Sequence, residues 1–148
     1  MNFRQHSSII FGSGLFLLVF GAAVYSEELS KGIGPVTEIK LDSTINSKQV
    51  AKGQEIFKTK CSACHKIEER YVGPALQDVT KRRSPEWIMN MILNPQEMLE
   101  KDPVASKLLE EFMAPMASQD LTQDEARSVL EFFRNNDSGA KKAPSKKK

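Results

Sequence analysis

Apolar residues fall into one dense block and then into periodic rows. Ile9 to Tyr25 is almost wholly apolar or small, with Phe11, Leu15, Phe16, Leu17, Leu18, Val19 and Phe20 at its centre. From Asn46 the pattern turns helical. Val50, Gly53, Ile56 and Phe57 share one face of a helix that Asn46 or Ser47 would cap and that runs to about Lys60. Trp87, Ile88, Met91 and Ile92 repeat with the same period behind a Ser84 cap and Pro85 at the first helical position, and Asn94-Pro95 ends the run. Leu108 and Leu109 mark a helix from Pro103 to about Phe112 with Asp102 as its cap. The last row, Ala126, Val129, Leu130 and Phe133, follows Thr122 and Glu125 in capping-box register. Residues 27–46 carry Gly32, Gly34 and Pro35 and then a short alternating stretch, which predicts an extended arm with a brief strand over Thr37 to Leu41. Loops run through Gly73-Pro74 and through "MAPMASQD" at 113–120. The body therefore reads as nearly all helix. Gly53 costs a helix interior about 1 kcal/mol, so its presence implies another backbone passing close.

The apolar block follows Arg4 and precedes Val24-Tyr25-Ser26, the layout of a secretory signal cleaved before Glu27. Its 17 residues also sit near the lower limit of a membrane span, which leaves an uncleaved N-terminal anchor as the alternative. No cysteine follows the block, so a lipid anchor there is excluded. Either way the body lies outside the cytoplasm, in the periplasm or an equivalent space. The chain divides into 1–26 (signal or anchor), 27–46 (arm), 47–137 (one domain) and 138–148, a disordered tail with five lysines in its last eight residues. Without Arg4 and those lysines, the 21 basic and 19 acidic residues become 15 against 19, a mildly acidic body. Nothing in that charge pattern supports nucleic-acid binding. The tail is a solvated run or a basic arm for an acidic partner or anionic lipid.

"CSACHK", residues 61–66, holds both cysteines and one of the two histidines. A structural zinc site needs four ligands, and beyond Cys61, Cys64 and His65 the chain offers only His6, within the signal segment. A dithiol redox pair of the thioredoxin kind rides on an α/β fold, and nothing upstream reads as its strand. A plain structural disulfide would not need His65. The remaining reading uses every residue: two thiols at i and i+3 share a helical face and add to the two vinyl groups of a haem, with His65 held beneath the ring for the iron. Cys-x-x-Cys-His is the c-type haem attachment signal.

With that motif, Gly73-Pro74, a late methionine loop and a closing amphipathic helix, the chain resembles the class I cytochromes c over residues 47–136. The resemblance implies an all-α, cytochrome c-like fold wrapped around one covalent haem c and its iron. It implies a first and last helix crossing tightly, Gly53 and Phe57 against Phe132 or Phe133. It also implies a methionine as sixth iron ligand shortly before the last helix. Counting back from Leu121 in the family's register gives Met116, which follows Pro115, ahead of Met113. Met89, Met91 and Met98 read as core filling. Further carry-overs are the Pro74 carbonyl accepting the outer N–H of His65, and Trp87 with Arg82 or Arg83 bonding a haem propionate. Tyr71 is either a cleft residue or a loop anchor.

The function implied is that of a soluble, monomeric one-electron carrier, not an enzyme. It would take electrons from a membrane respiratory complex and pass them to a terminal oxidase or reductase. A looser likeness of "VTKRRSPEWIMNMILNP" to cytochromes serving anaerobic reductases adds a nitrogen-oxide reductase to the acceptors. The rivals are a five-coordinate haem sensor or peroxidase-like protein, in which Met116 does not bind, a membrane-anchored subunit of one complex, and a dithiol oxidoreductase.

Overall fold

The computed structural model describes residues 29–139. The apolar block, its cleavage site and the lysine run at 141–148 therefore lie outside the described residues. Six α-helices follow in order: α1 (Ser47–Ile56), α2 (Val79–Arg82), α3 (Pro85–Leu93), α4 (Pro95–Lys101), α5 (Pro103–Phe112) and α6 (Gln123–Asp137), with a π-helical segment (Phe57–Cys61) continuing α1. Among the described residues there is no strand, and no helix is long and apolar enough to cross a membrane.

The caps are chemical start signals. Asn46 accepts from the N–H groups of Lys48 and Gln49, Ser84 from Trp87, and Asp102 from Val104 and Ala105. Thr122 and Glu125 exchange both bonds of a capping box. Two elements depart from the sequence expectation. The first helix is α-helical only to Ile56 and widens to π geometry up to Cys61, with Ser62 N–H donating to the Phe57 carbonyl at 2.9 Å. Asn94-Pro95 does end α3, but Pro95 also opens α4, because a proline lacks only an N–H that the first turn leaves unbonded anyway.

α1 and α6 cross at backbone contact. A Cβ on Gly53 would stand 2.0 Å from the Ser128 carbonyl oxygen, so only glycine admits this approach. Beside the crossing, Phe57 meets Phe132 at 5.3 Å and Phe133 edge-on at 5.9 Å between centroids. Ala126, Val129 and Leu130 are fully buried on the inner face of α6, and Trp87, Ile88, Met89 and Ile92 of α3 complete the core with Met98.

The arm is extended, but the strand expected over Thr37–Leu41 does not form, because its backbone bonds to side chains of the helices and not to a second strand. Val36 N–H donates to Asn90 Oδ1 at 2.9 Å, and Asn90 Nδ2 donates back to the carbonyls of Val36 and Lys31. Ile39 N–H donates to Glu86, and Arg127 and Arg134 donate to the carbonyls of Lys40 and Asp42. The same two arginines converge on Oε1 of buried Glu131, at 2.9 and 2.6 Å. The buried polar residues Glu86, Asn90 and Glu131 thus serve one end, fastening the arm.

Candidate functional site

The π segment delivers Cys61 at its last position, and the chain then turns sharply. Cys64 and His65 N–H groups both donate to the Cys61 carbonyl, at 3.1 and 2.9 Å. Such wide turns occur mostly as single insertions at functional positions. Downstream, the loop folds back on the motif: Gly73 N–H donates to the Cys64 carbonyl at 2.9 Å, and Leu76 and Gln77 N–H groups donate to the carbonyls of Lys66 and Ile67.

His65 is half-buried, and its Nδ1 lies 3.2 Å from the Pro74 carbonyl oxygen. A carbonyl can only accept, so Nδ1 carries the proton and Nε2 keeps its lone pair for a metal. Burial pushes the imidazole below its ordinary pKa, against the opposing pull of the Pro74 carbonyl, which keeps the ring in its neutral, ligating form. Gly73 backs the ring: a Cβ there would lie 2.6 Å from Cε1 of His65.

Both cysteines are free thiols, so no structural disulfide forms. Burial pushes the Cys61 thiol up, and neighbouring Cys64 pushes it the same way. A dithiol exchange catalyst needs the opposite, a thiolate stabilised at neutral pH. Among the described residues no three His, Cys, Asp or Glu side chains gather as a metal cluster.

The two methionine candidates occupy different environments. Met113 ends α5 in a left-handed conformation (φ 53°) with 83% of its surface exposed. Met116 is half-buried and lines a cleft of about 490 Å³ with Leu93, Leu99 and Leu109 and with the polar Asn94, Gln96, Glu100 and Ser118; Cys61, Cys64 and His65 are not among its lining residues.

The residues of the softer expectations are placed as follows. Trp87 is 5% exposed and gives its indole N–H to Asp102 Oδ1 at 3.1 Å. Asp102 also accepts from Ser30 Oγ and caps α5, which gives a buried carboxylate four partners. Arg82 turns to the backbone, its Nη2 donating to the carbonyls of Ala75 and Gln77. Arg83 lies over the Trp87 ring at 5.2 Å, and Tyr71 is exposed under the Lys66 ammonium at 4.8 Å. Sequence reasoning missed Asp102 as a hub because its partners are 72 and 15 residues away.

A small helical shell and a Cys-x-x-Cys-His turn with an oriented imidazole define a carrier of covalent haem. The chain belongs to the cytochrome c family, whose model matches residues 50–137. A cytochrome c from Rhodothermus marinus superposes with a TM-score of 0.70 at 41% identity, over 71% of this chain and 90% of that one. Shorter stretches match cytochrome c-551 of Ectopseudomonas mendocina, 49% identical over 35 residues, and a cytochrome c-553-like protein of Synechocystis, 35% identical over 60 residues. These cover 23% and 32% of this chain and 43% and 57% of the relatives, so the chain spans about half the length of the curated relatives it matches.

The domain implies a covalent haem c with its iron. The residues present fit that group. Two free thiols stand at the right spacing, Nε2 of His65 is the ring nitrogen left over, and the glycine at 73 keeps bulk away from the imidazole.

Proposed function

We propose that this protein is a one-electron carrier holding a single haem c and working outside the cytoplasm. Bound haem supplies the ferric/ferrous couple. Cys61 and Cys64 would hold it through two thioethers, and His65 would ligate through Nε2 while Pro74 fixes the tautomer. Met116 would supply the sixth ligand; a thioether is a soft donor that favours the ferrous state and raises the potential. A low-dielectric surrounding of the haem would push the same way, because it disfavours the additional charge of the ferric state. With His65 and Met116 both holding the iron, oxygen and peroxide would have no entry to it, and electron exchange would be the chemistry that remains.

The observation that supports this reading over the sensor or peroxidase alternative is a half-buried methionine, Met116, in the loop before α6. Potentiometric titration of the haem-loaded protein tests it. A single one-electron wave, without peroxide turnover, is the expected result; rapid peroxide consumption by the native protein contradicts it.

The donor in this proposal is a membrane respiratory complex and the acceptor a terminal oxidase or a reductase, a nitrogen-oxide reductase among them. The carrier works as a monomer through a transient contact. A second reading retains Ile9–Tyr25 as an anchor, and the arm sets how far from the body it would lie. Ser30 is fastened to Ser84 and Asp102, so only residues 26–29 would separate an anchor from the folded body. Four residues reach at most about 14 Å, which would hold the domain against the bilayer. The mass of the mature N-terminus separates the two.

A further inference from the structure

We infer that Arg70 is a positioning residue: it fastens the segment behind His65 to the helix that leads into Met116, and so holds the methionine loop closed. The inference rests on the Met116 ligation proposed above. Arg70 lies five residues after His65, and Glu111 lies five residues before Met116. Three contacts join these segments, 41 residues apart. Arg70 Nη1 donates to Glu111 Oε1 at 2.7 Å, Nη2 donates to the Glu111 backbone carbonyl at 3.1 Å, and the guanidinium lies 3.9 Å from the centre of the Phe112 ring.

Both ends of the fastening are themselves anchored. Next to Arg70, Tyr71 N–H donates to the Gly73 carbonyl, and Gly73 N–H donates to the carbonyl of Cys64. Glu111 and Phe112 close α5, where Met113 N–H donates to the carbonyl of Leu109, a residue that lines the cleft beside Met116. A pull on the guanidinium is therefore carried through short, bonded lengths of chain toward both expected ligands.

The loop itself needs such a restraint. Its side-chain hydrogen bonds are local, Ser118 Oγ to Asp120 and Gln119 Nε2 to the Ala117 carbonyl. Its two ends, Met113 and Asp120, hold φ of 53° and 51°, a left-handed conformation that residues other than glycine seldom adopt. Backbone held there persists only when its surroundings impose it. A planar fork that bonds a carboxylate and a carbonyl while stacking on a ring is arginine's geometry, and lysine does not reproduce it.

The test is the rate at which imidazole replaces the sixth ligand in the ferric, haem-loaded protein, a rate gated by opening of the loop. An exposed ion pair and a cation–π contact together amount to about tenfold in an opening equilibrium. Arg70→Ala therefore binds imidazole about tenfold faster, with its thermal unfolding little changed. Arg70→Lys and Glu111→Gln fall between Arg70→Ala and wild type. Added salt speeds the wild type and leaves Arg70→Ala unaffected. Lys101→Ala, which removes a pair with Glu97 on α4, is the control and keeps the wild-type rate. A rate for Arg70→Ala within twofold of wild type overturns the inference. Met116→Ala is run in parallel: fast binding there leaves the ligation reading standing whatever Arg70 does, whereas binding no faster than wild type removes the ligation and the fastening role with it.

Discussion

Gly53 of α1 sits directly on the backbone of Ser128 of α6, with room for a hydrogen and for nothing larger: a methyl carbon would lie 2.0 Å from the carbonyl oxygen. Alanine is worth about 1 kcal/mol more than glycine in a helix interior, so an isolated helix would gain from the exchange. Here the added carbon must force two helix backbones apart. Gly53→Ala is expected to lower the denaturant-unfolding free energy of the haem-loaded protein by about 1–3 kcal/mol. Equal or greater stability would show that the crossing is looser than described.

Cys61 and Cys64 divide the attachment between them. Replacing both by alanine is expected to give a chain of unmodified polypeptide mass from a host that matures c-type cytochromes, while either single variant keeps one thioether or fails to mature. Mass spectrometry under denaturing conditions reads this directly. Full haem retention by the double variant in denaturant would refute covalent attachment at these residues.

His65 predicts an acid response with a definite sign. Its folded pKa is lowered by burial from the ordinary value of about 6.5. A histidine shifted this way contributes stability that is complete above 6.5 and disappears as pH falls through the lowered value, since the unfolded chain then binds the extra proton. Iron ligation acts in the same direction, because a ligating nitrogen must be deprotonated. The spectral transition to a state without bound histidine is therefore expected with a midpoint well below 6.5. A midpoint at or above 6.5 would mean that the ring is solvated and not buried.

Trp87 separates a packing role from a cofactor role. Its indole N–H goes to buried Asp102, so Trp87→Phe keeps most of the apolar contact and removes one hydrogen bond to a carboxylate. The expected cost is about 1–3 kcal/mol in unfolding free energy, with the reduction potential unchanged. A clear shift in potential at unchanged stability would return Trp87 to the haem.

Local chemistry made much of this fold legible. Ser84, Asp102 and Thr122 each announced a helix start by side-chain type, as did the pair Asn46-Ser47, of which the structure makes Asn46 the cap. The costly Gly53 signalled a close crossing before its partner was known. Signals with two meanings misled: Asn94-Pro95 reads as a stop, yet the same proline begins α4. The short α2 offers only four residues, too few for a periodic row. The alternating stretch at Thr37–Leu41 looked like a strand, but an extended backbone bonds equally well to Glu86 and Arg127. At the site, Cys61, Cys64 and His65 were legible because their spacing is the chemistry. Arg70 on Glu111 and Trp87 on Asp102 were not, since nothing local encodes a partner 41 or 15 residues away.

The ligand set is the centre of the account, and the absorption spectrum of the exported, haem-loaded chain tests it most directly, recorded oxidised, reduced, and reduced under carbon monoxide. A weak far-red band of methionine-to-iron origin is expected in the oxidised form, absent in Met116→Ala and retained in Met113→Ala, with no carbon monoxide bound by the reduced wild type. Ready binding of carbon monoxide to the wild type, with no far-red band to lose, would leave the sixth position open and replace the electron carrier with a sensor or a catalyst.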